Sequence, residues 1–462
     1  RKLAMPDTLI IVASVVLLVA ILSWIIPSGT YDYQEMNING RIRNVAIDGT
    51  YHTIDKSEVT TTGFLGFFSV LYRGCVEAAD VIFMILCCCG TFGVVVKTGA
   101  FHAGIGTILK KLKGKEILLV PIIMLIFGLG GSVFGMASEF YGFYPLIVGL
   151  GVALGYDAMF GFAIIAVGEF VGFMGATLNP YSVGIAQTIS GVELYSGTGY
   201  RTICFVIFMV ISIIYVMMYG RKIKKNPGAS VVFGEKNIHA FDRDELNEYS
   251  FTLKDGLVLL DVLVVLVVLM FGLIKWGWDF PQLCGLFLLM SMIAAAICKW
   301  SPNKWCSEFI DSAKTAMWGC ILTGIAKAIT VVMQDAQIMD TVIYGLSNVL
   351  KNAPHAVSAQ VMLVVQTLIN FFIPSATGQA SATMPIMAQL ADIIGVSRQT
   401  AVLAFQFGDG LSNIFWPTAD IVIICGLGGI SLQKWYKWFT PLFLILFATQ
   451  AILLGIATGI GF

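Results

Sequence analysis

Charge is what this sequence has least of. Of its 462 residues only 12% are Asp, Glu, Lys or Arg, against about 25% in an ordinary soluble domain, and 57% are hydrophobic. That balance excludes a water-soluble globule and reads as a polytopic, all-α membrane protein. Net charge is zero, so no basic excess points to nucleic acid. Histidines number four, and the ten cysteines, Cys87-Cys88-Cys89 among them, lie in or beside apolar stretches without metal-ligand spacing. Neither a metal nor any other cofactor is expected. With no nucleophile–base pair and no phosphate loop, an enzyme is not expected either.

Two windows lack positive charge almost entirely. Residues 116–200 contain no Lys or Arg, and 352–433 contain only Arg398. Glu139, Glu169 and Asp409 nevertheless fall within them. A carboxylate at membrane depth costs on the order of 2.5 to 3.5 kcal/mol on insertion scales, so it usually faces a cavity and acts there. The competing reading is structural, with Glu139 or Glu169 at an aqueous boundary or capping a broken helix.

The same windows carry broken apolar runs. In 371–410 the middle, PSATGQASAT, is small and hydroxyl-rich and includes Pro374 and Gly378. A lipid-facing helix cannot continue there, because its opened amides would go unsatisfied. The chain should turn back inside protein as a re-entrant hairpin, leaving free N–H groups at the start of its second half. Residues 116–155 repeat the design around SVFGMASE. Pro145 and Pro385, Gly155 and Gly395, and Gly168-Glu169 and Gly408-Asp409 are each 240 residues apart, which argues for a duplicated unit.

The remaining chain fits around those units. Residues 1–27 form a retained first transmembrane helix, and 28–78 a cap with a hairpin about Asn39-Gly40 and an interfacial segment. Residues 79–115 hold a second span and a lysine-rich amphipathic arm. Residues 116–220 form repeat 1: hairpin, a helix broken at 175–180, and a further span. Residues 221–252 are a soluble linker, 253–352 scaffold helices with a second amphipathic arm, and 353–462 repeat 2, broken at 408–418. About nine crossings and two hairpins result. With the N-terminus inside, 19 of the 28 Lys and Arg fall on the cytoplasmic side, as positive-inside bias requires, and the two hairpins open to opposite faces. Lys327 is left within a span, with its role open.

Candidate site residues gather at the tips and breaks. They are Ser132, Gly135, Ser138 and Glu139 at the first tip, Thr177 and Asn179 at the first break, and Ser375, Thr377, Gly378, Gln379 and Ser381 at the second tip. Asp409 and Asn413 belong to the second break, with Glu169, Ser412 and Thr418 as secondary candidates. Small hydroxyls also let transmembrane helices pack closely, which accounts for some of them. Helix N-termini suit a carboxylate, and uncompensated acids suit an ammonium or guanidinium.

MPDTL, FGMASE, GATLNPYSVGIAQTISGV, SATGQASATMPIMAQLAD and AFQFGDGLSNIFWPT resemble the YfcC-type carriers of the ion transporter superfamily. That superfamily also holds DcuC-like C4-dicarboxylate carriers and ArcD-type basic amino-acid antiporters. The resemblance covers nearly the whole chain. It implies an elevator-type secondary transporter of a bacterial cytoplasmic membrane, working as a homodimer in the lipid bilayer. Its substrate would be a small molecule, a basic amino acid in the first reading and a C4-dicarboxylate in the second. One departure is Ser138, where many relatives read Glu-Glu, so this chain keeps a single acid at that tip.

Overall fold

The computed structural model describes residues 7–38, 41–112, 116–235, 237–239, 250–351 and 357–462. Among these residues nineteen helices dominate. The first, α1 (Thr8–Ile25), starts where the Asp7 carboxylate accepts from the Leu9 amide at 2.9 Å. Four short strands follow: β1 (Ser28–Thr30) pairs with β4 (His52–Ile54), and β2 (Tyr33–Ile38) with β3 (Arg41–Ala46), both antiparallel. The expected hairpin is therefore present, while its turn at Asn39-Gly40 lies outside the described residues.

Three helices come next: α2 (Phe64–Glu77), α3 (Ala79–Lys97) and the amphipathic α4 (Ala100–Leu112). Lys113 and Lys115 of that arm lie outside the described residues. The first hairpin is α5 (Leu119–Leu129), a π turn (Gly130–Phe134), a short 3-10 turn and α6 (Phe143–Ala153). A broken helix, α7 (Ala158–Met174) and α8 (Val183–Ile189), leads to α9 (Thr198–Lys225). The second half holds α10 (Leu253–Lys275), α11 (Phe280–Ile297), α12 (Pro302–Lys314), α13 (Met317–Asp335) and α14 (Met339–Lys351). Its hairpin is α15 (Ser358–Phe372) and α16 (Ala376–Ile394), and its broken helix is α17 (Arg398–Ser412) with α18 (Asp420–Gly428). The last helix is α19 (Leu432–Gly459).

Among the described residues seven helices are long and apolar enough to cross a membrane: α1, α3, α9, α10, α11, α13 and α19. The other two crossings expected from sequence correspond to the interrupted pairs α7–α8 and α17–α18.

The element pattern of α2 to α9 recurs in α12 to α19. Helices α3 and α13 are 19 residues each and begin 238 apart, and α9 and α19 are 28 residues each. Packing is reciprocal. Helix α2 lies on α13 and α12 on α3, α1 lies on α13 and α11 on α3, and each hairpin's first arm crosses its own broken helix. Glycine permits these crossings: a Cβ on Gly74 would meet the Gly324 carbonyl at 2.3 Å, and one on Gly172 the Gly128 carbonyl at 2.1 Å.

Two features depart from the sequence reading. Helix α12 lies between two expected spans and has no counterpart among them, because its charged, amphipathic 13 residues carry no spanning signal. The stretch after α9, expected as a soluble linker, is partly docked on the helices. Ser230 Oγ donates to Asp157 Oδ2 at 2.5 Å, and Asn237 Nδ2 donates to the Gly428 and Gly429 carbonyls at 2.9 and 3.2 Å.

Candidate functional site

The first break is tied to the first hairpin by short hydrogen bonds. The Thr177 and Leu178 amides donate to the Ser132 carbonyl at 2.9 and 3.2 Å, and Ser132 Oγ donates to the Gly175 carbonyl at 3.1 Å. Asn179 Oδ1 accepts from the Tyr181 and Ser182 amides at 2.9 and 3.2 Å, and its Nδ2 reaches the Gly131 carbonyl at 3.4 Å. Gly135 has φ +69°, and a Cβ there would strike Asn179 Oδ1 at 2.4 Å, so this tip requires glycine. Ser132, Gly135, Thr177 and Asn179 thus come together as expected, whereas Ser138 takes part through its backbone, its carbonyl accepting from the Tyr141 amide at 3.2 Å.

The second break uses different chemistry at the same place. Asn370 Nδ2, from α15, donates to the Asp409 carbonyl at 2.7 Å and to Asn413 Oδ1 at 2.9 Å. Thr418 Oγ1 donates to the Phe371 carbonyl at 2.7 Å. Helix α17 runs on to Ser412, so Gly408 and Asp409 are helical and the interruption spans 413–419 rather than starting at Gly408. Ser412 Oγ donates to the Gly408 carbonyl at 2.5 Å, a back-bond of the kind that bends a helix, and it sits at the last residue before the interruption.

The second tip is narrower than its composition suggests. Only residues 373–375 leave helical geometry, and Thr377, Gly378, Gln379 and Ser381 belong to the first turns of α16. Ser375 caps that helix, its Oγ accepting from the Gly378 amide at 3.3 Å. Gln379 Nε2 donates to Gln366 Oε1 at 2.7 Å, clamping the two hairpin arms, and Ser381 Oγ is spent on the Thr377 carbonyl.

The two units meet crosswise. Tyr141, just after the first tip, donates from its hydroxyl to Asp420 Oδ1 at 2.8 Å at the start of α18. Thr377, at the second tip, donates to the Tyr181 carbonyl at 2.9 Å just before α8. Tyr141 and Asp420 are functional candidates that the sequence reading missed. Asp420 lies two residues past the GDGLSNIFWPT motif, and only that adjacency could have flagged it.

Four carboxylates therefore surround the crossing. Glu139 is buried and its Oε2 accepts from the Ala137 amide at 3.0 Å. Glu169 is wholly buried, with Oε2 accepting from the Tyr144 hydroxyl at 2.8 Å. Asp409 is wholly buried too. The Asp420 charge acts on both Glu169 and Asp409, and Glu139 acts on Glu169, while no lysine or arginine among the described residues acts on any of the four. Glu169 Oε1 and Asp409 Oδ2 are buried without any hydrogen-bond partner. Arg398 is engaged elsewhere, paired with Asp392 at 2.7 Å. No group of three or more His, Cys, Asp or Glu among the described residues could hold a metal ion.

Spanning helices, two hairpins and two broken helices converging on buried acids define a multi-pass membrane transporter. The chain belongs to the DcuC family, described as C4-dicarboxylate anaerobic carriers, whose model matches residues 5–459. It is 32% identical, over 98% of its length and 96% of the relative's, to the Escherichia coli K12 protein named "Putative basic amino acid antiporter YfcC". An uncharacterized protein of Haemophilus influenzae is 27% identical over 97% of this chain and 96% of its own. Among solved structures, the Alcanivorax borkumensis YdaH transporter aligns over 99% of both chains at 14% identity and a TM-score of 0.45. Neisseria gonorrhoeae MtrF aligns over 99% of this chain and 96% of its own at 16% identity, also with a TM-score of 0.45.

Proposed function

We propose that this protein exchanges basic amino acids of the arginine and ornithine type across a bacterial cytoplasmic membrane by an elevator movement. The observation that carries the reading is the pair of partnerless buried oxygens, Glu169 Oε1 and Asp409 Oδ2, in a region without a compensating cation. A guanidinium or ammonium supplies the missing donors. A dicarboxylate meets repulsion instead: two like charges near 4 Å at an effective dielectric of about 20 repel by roughly 4 kcal/mol, about a thousandfold in affinity. The substrate carboxylate would lie against the hairpin tips at Ser138 and at Ser375, Thr377 and Gly378.

Reciprocal packing supports the inverted repeat and the division into a moving unit, α5 to α9 with α15 to α19, and a static frame. The proposed topology keeps the N-terminus cytoplasmic. Apolar side chains exposed on α10 and α11, such as Leu260, Leu263 and Leu289, suit a homodimer interface on that frame.

A second reading, sodium- or proton-coupled C4-dicarboxylate transport, is favoured by the family's description and by two cations. Arg201 is buried with Nε and Nη1 unpartnered, and Lys327 forms no ion pair among the described residues. Arg201 touches Gln399, ten residues and so about 15 Å along α17 from Asp409, which sets it apart from the acids.

Proteoliposome exchange decides between them. Labelled arginine should enter only against internal arginine or ornithine, and Asp409→Asn and Glu169→Gln should each abolish it. Sodium-dependent succinate uptake by the parent, without arginine exchange, overturns the proposal.

A further inference from the structure

On the cap side of the molecule the second hairpin's return arm borders a cavity of about 310 Å³, within the range of about 300–1,000 Å³ usual for small-molecule sites. Three separate elements wall it: the cap through Tyr31, Asp48 and Tyr51, α14 through Tyr344, and α16 through Ile386 and Leu390. Tyr51 stacks on Tyr344 with ring centroids 4.1 Å apart and an interplanar angle of 8°, and Tyr31 closes on Tyr51 at 5.4 Å and 58°. The Asp48 charge acts on the Tyr31 phenol, and Asp48 pairs with no cation among the described residues. Among the described residues no Lys, Arg or His lines the cavity.

The return arm of the first hairpin, α6, provides an internal comparison. Leu146 stands 240 residues before Ile386 and borders a cavity of about 270 Å³. That wall carries no tyrosine and no carboxylate, and its Lys97 is held by Glu308 at 2.5 Å. Each return arm therefore borders a cavity, but the first is walled by α3 and α12 rather than by a counterpart of α14, and among the described lining residues aromatic rings grouped with an unpaired carboxylate occur on the cap side. Ring faces and an unpaired carboxylate together attract a cation and repel an anion.

We propose that this cavity is a second binding site, distinct from the central acids, that receives the guanidinium or ammonium end of a small organic cation. Since α16 forms one wall, a ligand here rests directly on the second hairpin. The inference deepens the cationic-substrate reading, on which delivery of this ligand to the centre rests, but the cavity can be tested apart from transport.

The test is equilibrium binding of radiolabelled agmatine, which has two cationic ends and no carboxylate, to the full chain in lipid nanodiscs. Tetramethylammonium serves as competitor, because it binds aromatic rings without donating hydrogen bonds. Asp48→Asn and Tyr344→Leu should each weaken agmatine binding by about tenfold, an effect of the size seen for partly desolvated cation–ring contacts. Asp48→Glu and Tyr344→Phe should largely restore it, which separates lost recognition from misfolding, and tetramethylammonium should compete while succinate does not. Absence of saturable agmatine binding to the parent overturns the proposal, as does binding that survives Asp48→Asn and Tyr344→Leu but is lost in Asp409→Asn. Should the parent exchange no arginine while agmatine binding still follows Asp48, the transport reading falls and the cavity site stands.

Discussion

The Tyr141 hydroxyl donates to Asp420 Oδ1 at 2.8 Å, joining the return of the first hairpin to the second broken helix across 279 residues of chain. Its counterpart, Thr377 to the Tyr181 carbonyl, runs the opposite way. Each hairpin is thus bonded to the helix break of the other half, and these contacts form only when both halves are in place.

Removing that link should be felt in both stability and exchange. A hydrogen bond to a charged group is worth about 1.5–3 kcal/mol. Tyr141→Phe is expected to lower the thermal midpoint in detergent and to raise the KM for exchange about tenfold or more. Unchanged values for both would show that the bond is idle.

The α5–α7 crossing gives a steric prediction. A methyl at Gly172 would stand 2.1 Å from the Gly128 carbonyl, whereas one at Gly285 meets nothing within 4 Å. Gly172→Ala should cost about 1–3 kcal/mol or more through overpacking, and Gly285→Ala should be neutral or stabilising by up to about 1 kcal/mol. Folded yield by fluorescence-detected size exclusion separates the two.

The cap hangs on one carboxylate. Asp340 accepts from Thr30 Oγ1 at 3.1 Å, from the Tyr31 amide at 3.0 Å and from the Tyr33 hydroxyl at 2.7 Å. Asp340→Ala removes all three and leaves a buried amide unsatisfied, at a cost of about 2–4 kcal/mol to the docking of the cap. Faster proteolysis within residues 28–62, with the helices intact, is the expected outcome.

Docking of the linker should weaken in acid. Burial pushes the His239 imidazole down to about 4, against a backbone bond at Leu427 that works the other way. Because the docked form resists protonation, the released form takes up a proton first as pH falls below the ordinary value of about 6.5. Docking is therefore complete above pH 6.5 and is lost progressively towards pH 4, by about 2 kcal/mol at pH 5 at 1.36 kcal/mol per unit. Hydrogen exchange at residues 237–239 should accelerate over that window, and His239→Gln should flatten the response.

Much of this architecture is legible in the sequence because membrane insertion penalises broken helices and stray charge so heavily. Pro374 falls in the turn between α15 and α16, the 240-residue spacing of Gly168-Glu169 and Gly408-Asp409 picks out α7 and α17, which hold matching places in the element order, and the acid-rich, base-poor windows contain the buried Glu139, Glu169 and Asp409. Local composition failed where long-range packing decides. The hydroxyls from Thr377 to Ser381 read as an opened tip, yet a serine cap and the Gln366–Gln379 clamp allow helix to begin at Ala376. Helix α12 escaped notice since it is amphipathic and lies on α3 rather than spanning. Asp420 passed unremarked because its partner, Tyr141, belongs to the other repeat.

The reciprocal packing of the two halves bears on how the protein is made. Gly74 of α2 fits against Gly324 of α13, which leaves the ribosome 250 residues later. At about 5–20 residues per second that delay lasts roughly 12–50 seconds. Throughout it, the first half waits in the bilayer with that crossing surface unmatched. Biogenesis is then governed by how that half is sheltered during elongation, and synonymous changes or hosts that slow translation between the repeats will lengthen the exposure.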